Sequence, residues 1–176
     1  RVDFVFKRLF GDERNKDILC AFLKVMLELP HGELQDIHLL NTELKKEYIE
    51  DKHGILDIRV TMATGTQIDI EIQLHNKKDM IARSLFYWSK LYSEQAQEGG
   101  DYSSLCRTIA FNILDADKYH SVYLLQEKES KDLLTDLIQI DFLELPKVRH
   151  LSLENSDEKL EWAYFIASEE EEVFSM

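Results

Sequence analysis

Two runs of this chain alternate strictly: Leu56-Asp57-Ile58-Arg59-Val60-Thr61-Met62 and Gln67-Ile68-Asp69-Ile70-Glu71-Ile72-Gln73-Leu74. Apolar residues hold the even positions and polar ones the odd. Successive side chains of a strand point to opposite faces, so the pattern predicts a β-hairpin with one apolar and one polar face. The polar face carries Asp57, Asp69, Glu71 and Gln73, residue types that strands disfavour. Such a face either lies at a solvated edge or holds something. Pairing Met62 with Thr66 leaves the loop Ala63-Thr64-Gly65, with Gly at the position that such loops place in the left-handed region. That register sets Asp57 opposite Glu71 and Arg59 opposite Asp69. Opposed Cβ atoms lie about 5 Å apart, so two carboxylates there repel unless a cation sits between them. Two carboxylates, a backbone carbonyl and waters suit an octahedral hard cation such as Mg²⁺ or Mn²⁺. The alternative on spacing alone is a surface hairpin in which Arg59 neutralises its acidic neighbours.

At 176 residues the chain is expected to form one domain over residues 1–168, long enough to bury a full core. Cys20 and Cys106 are too few and too isolated for a disulfide framework or a zinc site, which makes a reducing, cytoplasmic setting the expectation. No apolar run reaches membrane-spanning length and no signal peptide is seen, although a chain opening at Arg1 is expected to lack its true start. The net charge of -13 runs against the cationic excess of most nucleic-acid binders and weighs against tight, salt-resistant DNA binding by this chain alone.

Taken in order, Asp3-Phe4-Val5-Phe6-Lys7-Arg8-Leu9-Phe10-Gly11 reads as a short helix or turn packed on the core. Asp12 or Asn15 offers an N-cap for a helix running to about Leu29, with Ile18, Leu19, Phe22, Leu23, Val25, Met26 and Leu29 at helical spacing. On it, Asp17 and Glu28 are candidate supporting acids, set against the plainer reading of solvated surface charges. Ile37 to Leu40 and Glu43 to Ile49 offer one short strand between loops. After the hairpin, a helix is expected from Asp79 to about Gln97, with Met80, Ile81, Leu85, Phe86, Trp88, Leu91 and Tyr92 as its apolar stripe. Arg83, Tyr87 and Lys90 share one face of it and can bring positive charge toward the hairpin acids. Strands are expected over Thr108 to Leu114 (almost fully apolar, hence central), Ser121 to Gln126 and Asp136 to Leu143, with Asp115-Ala116-Asp117-Lys118 as a turn. Ser156 or Asp157 caps a last helix through Ile166. The run Glu169 to Glu172 falls in a stretch, 169–176, expected to be a disordered acidic tail or the start of a truncated C-terminal region. The fold class expected is α+β with an α/β-type core: a mixed central sheet flanked by helices.

The order of helix, strand, Asp-bearing strand, Glu-x-Gln strand and helix resembles the PD-(D/E)XK, restriction-endonuclease-like core. More specifically, the chain is similar to the PD-(D/E)XK nuclease family transposases, the recombination-promoting nuclease (Rpn-like) group. The residues that carry the likeness are Asp3 to Gly11, Lys16-Asp17-Ile18-Leu19 with Phe22-Leu23, Leu56-Asp57-Ile58 and Ile70-Glu71-Ile72-Gln73. Arg83-Ser84-Leu85-Phe86-Tyr87-Trp88-Ser89-Lys90-Leu91-Tyr92, the Gln95…Gly99…Tyr102 segment and Glu144-Leu145-Pro146-Lys147 continue it. The resemblance implies a metal-dependent endonuclease that cuts DNA phosphodiesters, in bacteria mostly linked to mobile elements and DNA recombination. It implies Asp57 and Glu71 as metal ligands, the Ile72 carbonyl as a third, and Mg²⁺ (or Mn²⁺) as cofactor. Gln73 stands where the wider superfamily has Lys, and it can orient water but brings no positive charge. Lys7, Arg83 or Lys90 could supply that charge. DNA is the expected partner, no membrane is involved, and there is room for a homodimer. The competing reading is a binding or assembly module of the same fold, catalytically weak or inactive, with the hairpin acids serving as an edge-strand guard against aggregation. RNA is a lesser alternative substrate.

Overall fold

The computed structural model describes residues 2–29, 37–43, 56–73, 79–114, 119–148, 151–154 and 156–174. The strands are β1 (Ile37–Leu40), β2 (Ile58–Met62), β3 (Gln67–Ile72), β4 (Thr108–Leu114), β5 (His120–Gln126) and β6 (Leu133–Glu144). They form one sheet in the order β1-β2-β3-β4-β6-β5. Pairing is antiparallel through β1, β2 and β3, parallel from β3 to β4 to β6, and antiparallel again between β6 and β5. The mixed sheet with flanking helices is the α+β nuclease-like core expected from the sequence.

The hairpin register is the one that the loop length dictates. Arg59 pairs with Asp69 and Thr61 with Gln67, and the Met62 N–H donates to the Thr66 carbonyl at 3.0 Å. Gly65 sits at φ +86, and a Cβ there would come within 2.6 Å of the Cys106 Sγ. The position therefore suits Gly on two counts, backbone and space.

The helices are α1 (Val2–Phe10), α2 (Lys16–Met26), α3 (Met80–Ser93), α4 (Leu145–Val148) and α5 (Glu158–Phe174). α1, α2 and α5 cover the apolar face of the sheet, and α3 covers the polar one. The parity of β4 shows this: Phe111 meets Phe22 of α2 with ring centroids 5.5 Å apart, whereas Asn112 accepts from Ser84 Oγ of α3 at 2.7 Å. The core on the first face is an aromatic chain. Phe6 and Phe10 stand 4.6 Å apart, Phe10 and Phe22 5.1 Å, and Phe22 and Trp162 5.8 Å.

Coverage of both faces alters what the alternation alone predicts. Ile68 through Ile72 are all buried, acids included, because α3 lies over the side that would otherwise be wet. The hairpin acids also do not guard an edge, because β3 lies between β2 and β4.

Several boundaries shift. The helix expected from residue 12 or 15 is a 3₁₀ turn over Glu13–Asn15 followed by α2, ending at Met26. α3 ends at Ser93, and its buried residues are Met80, Ser84, Tyr87 and Leu91, spaced by whole turns. Ile81 and Leu85, expected in its core stripe, are exposed. β6 starts three residues before the alternation of Asp136 to Leu143, because its first half belongs to a solvent-exposed hairpin with β5. α5 runs on to Phe174, through the stretch expected to be a disordered tail. Positions 44–49, Leu74 and the turn at 115–118 lie outside the described residues.

Candidate functional site

Continuing the β2–β3 ladder by one residue sets Asp57 opposite Glu71. The two acids hold each other in place through backbone. The Asp57 N–H donates to Glu71 Oε1 at 2.9 Å, and the Ile72 N–H donates to Asp57 Oδ2 at 2.9 Å. Each remaining oxygen meets a cation. Lys7 Nζ lies 2.8 Å from Asp57 Oδ1, and an Arg83 terminal nitrogen lies 2.8 Å from Glu71 Oε2. Lys7 arrives from α1 and Arg83 from α3, so helices of both layers converge on the pair.

Arg83 also contacts Gln73. Its other terminal nitrogen donates to Gln73 Oε1 at 3.1 Å. The guanidinium thus bridges Glu71 and Gln73, and the positive charge missing at position 73 stands beside it. Its plane is steadied by Tyr87, whose ring centroid is 5.1 Å from the guanidinium carbon. A hollow of about 440 Å³ lined by Gln73, Asp79, Met80, Arg83, Phe86 and Tyr87 opens at this contact.

Burial makes the pair electrostatically tense. The Glu71 side chain is 2% exposed, that of Asp57 12%. Burial first, then the Asp57 charge, raise the Glu71 carboxyl to about 7, with Arg83 and the Asp57 N–H opposing. Asp69, two residues back on the same face, is buried to the same extent. Burial, followed by the charges of Glu71 and Asp57, pushes its carboxyl well above the usual range. Neither Asp69 oxygen has a hydrogen-bond partner among the described residues. Arg59, its cross-strand neighbour, instead reaches Glu94 at 3.1 Å. The surface-hairpin alternative, with Arg59 neutralising exposed acids, therefore does not describe this site.

The other candidates scatter. Lys90 stands two turns beyond Arg83 on α3, a rise of about 10 Å. Asp17 is exposed in the first turn of α2. Glu28 follows the same helix and meets Lys159 at 2.6 Å. Neither acid contacts Asp57 or Glu71 among the described residues, and the structure does not bring them to the pair. The burial of Asp69 was missed in the sequence, although strict alternation placed it on the same face as Glu71.

The donor set bears on a metal. It is all oxygen, as a hard cation prefers, and a cation between the acids would relieve the repulsion that lifts Glu71. Every carboxylate oxygen already has one protein donor, yet each keeps a further lone pair. Among the described residues no cluster of three or more His, Cys, Asp or Glu forms a ready cage. The residues fit a divalent cation that retains several waters.

The profile of the PD-(D/E)XK nuclease family transposases matches residues 1–176. The chain belongs to this family. No curated protein sequence matches it. Nucleases of the PD-(D/E)XK type generally use divalent metals, in keeping with the oxygen donors found here. No described helix is long and apolar enough to cross a membrane.

Proposed function

We propose that this family member is a divalent-metal-dependent DNA endonuclease, with Mg²⁺ or Mn²⁺ held by Asp57 and Glu71. The observation that carries the reading is the Arg83 bridge: a cation bonded to both Glu71 and Gln73 restores the charge that Gln73 lacks. The Ile72 N–H faces Asp57, and in extended backbone the carbonyl of the same residue faces the same way, which supports Ile72 as a third ligand. When bound, the metal supplies the charge that acidifies an attacking water and stabilises the leaving oxygen of an in-line displacement. The chain's own groups do the rest. Asp57 and Glu71 are fixed by the backbone N–H groups they accept, so no side-chain reorganisation is needed. Arg83 and Lys7 bring the donors and positive charge that a phosphodiester requires. Gln73, tied to Arg83, orients rather than ionises. The hollow beside them has space for the nucleotide next to the scissile phosphate.

A second reading has its own observation. All four carboxylate oxygens already have protein donors, as in an ion-paired structural centre of an inactive binding module. A plasmid-nicking assay with Mg²⁺, Mn²⁺ and chelator separates the two. Asp57→Ala and Glu71→Ala are expected to abolish metal-dependent cleavage while melting cooperatively. Cleavage undiminished in both variants would refute the assignment. No cleavage by the wild type, with no rise in its melting temperature in millimolar metal, would favour the binding module.

A further inference from the structure

The hollow that opens at the Arg83–Gln73 contact has walls that the chemistry at phosphorus does not need. Arg83 and Gln73, which line it, are the two residues tied to the acid pair through Glu71. Most of the remaining lining is apolar or aromatic: Met80, Ala82, Phe86 and Tyr87. Tyr87 is buried, and its ring is already engaged by the Arg83 guanidinium. Phe86 is half-buried, its ring tilted by 54° against Tyr87 with 5.7 Å between centroids. Asp79, the last of the lining residues, is exposed, and its carboxylate makes no capping bond to α3.

The apolar ground continues outside the hollow. Ile81 and Leu85 are exposed at 70% and 45%. Residues three and four apart are neighbours on a helix surface, so Ile81, Ala82, Leu85 and Phe86 form one patch, with the hollow on its Ala82–Phe86 side. A sugar–phosphate backbone gains nothing from such a patch. Nucleobases do, because every base has a π-face that stacks on an aromatic ring and an edge of polar groups that a carboxylate or an amide can bind. In a duplex those faces are covered by the neighbouring base pairs, and a base must leave the stack to present one.

We infer that the hollow takes an unpaired base of DNA next to the phosphate at the acid pair, its ring on Phe86 and its edge toward Asp79 and Gln73. The inference rests on the nuclease reading and adds a substrate class to it: DNA that is single-stranded or locally opened at the point of cleavage. Volume agrees, because about 440 Å³ falls within the range of pockets that enclose small molecules. Charge points the same way. Duplex DNA carries one negative charge per about 1.7 Å of its axis, and a lone strand about half that density. A chain at -13 therefore meets less repulsion from the strand than from the duplex. Stacking on Phe86 supplies attraction that does not depend on cationic side chains, which this chain lacks in excess.

Fluorescence anisotropy with short end-labelled strands in Mg²⁺, their integrity checked on denaturing gels, tests it. The wild type is expected to bind a single strand about tenfold or more tightly than the same sequence as a duplex, and more tightly than a strand of abasic sites. Phe86→Ala should weaken strand binding by about tenfold, roughly 1.4 kcal/mol, and so erase the preference for the strand. Phe86→Leu keeps apolar bulk against Tyr87 and Leu91 but removes the stacking ring. It should act alike, and it decides the matter if circular dichroism shows that Phe86→Ala misfolds. A duplex bound as tightly as the strand, no binding of either, or strand binding undiminished in the folded leucine variant would overturn the inference. Tighter binding of an RNA strand of the same sequence would overturn the assignment to DNA. Plasmid nicking separates this failure from that of the nuclease reading. Nicking that needs Asp57 while strand binding ignores Phe86 removes the base pocket alone, and Phe86-dependent strand binding without nicking removes the nuclease reading alone.

Discussion

Glu71→Gln should make the metal-free protein more stable at pH 8, and the structure sets the amount. In the unfolded chain the Glu71 carboxyl titrates near 4.5, and in the fold near 7. Folding therefore favours the protonated form. The stability tied to this group is fully present below pH 4.5 and is lost as pH rises through 7. The difference in proton affinity corresponds to about 3 kcal/mol once both states are ionised. Gln keeps the shape and the neutral charge of the protonated acid, so the variant should match the wild type near pH 4.5. At pH 8 it should exceed the wild type by up to about 3 kcal/mol, or about 6–12 °C in melting temperature for a chain of this size. Urea unfolding in chelator at several pH values measures it. The Glu71 charge also helps to raise the Asp69 carboxyl, so the difference between the two curves reports Glu71 together with its coupling to Asp69. Millimolar Mg²⁺ should narrow the gap at pH 8 by stabilising the wild type alone, because the cation needs the Glu71 carboxylate. Parallel stability curves for the two proteins would refute the electrostatic account of the site.

Arg83→Gln should destabilise the metal-free protein by about 1–2 kcal/mol at pH 8, a figure reduced for the partial exposure of the guanidinium, and by less at pH 5, where Glu71 is protonated. Denaturant unfolding at the two pH values checks this. Phe22→Ala removes the ring shared by Phe10, Phe111 and Trp162 and should cost about 3–5 kcal/mol in urea unfolding.

Where the order of residues carries its own geometry, the sequence was readable. The hairpin register follows from side-chain period and loop length, both local, so Asp57 could be set opposite Glu71 with no knowledge of the rest. β4 announced itself because a strand covered on both faces reads as almost fully apolar. What resisted reading depends on elements distant in the chain. Arg83 looked like one of three equal candidates, since a shared helical face does not say how high on the sheet the helix sits. Lys7 comes from the first helix, and only the packing of Phe6 and Phe10 on α2 and the sheet aims it at Asp57. Asp69 was placed on the right face, but its burial depends on α3, whose docking face proved to be Met80, Ser84, Tyr87 and Leu91. An apolar stripe that included Ile81 and Leu85 predicted a different rotation. The helix instead turns Ser84 inward because Asn112 of β4 offers its hydroxyl a partner.

The acidic balance of the chain and a nucleic-acid substrate are compatible once range is considered. At physiological ionic strength, charges farther apart than about 8 Å are largely screened from one another. A bound phosphate would therefore respond mostly to its immediate neighbours, and at the proposed site these are Lys7 and Arg83 against Asp57 and a Glu71 that is only partly ionised near neutral pH. That local sum is close to zero or slightly positive, although the chain carries -13. A divalent cation between the acids would make it clearly positive. On this arithmetic a bound metal would do more than activate water: it would turn a near-neutral pocket in an acidic protein into an anion site. On the proposed reading, binding of DNA would then depend on metal before any bond is cut.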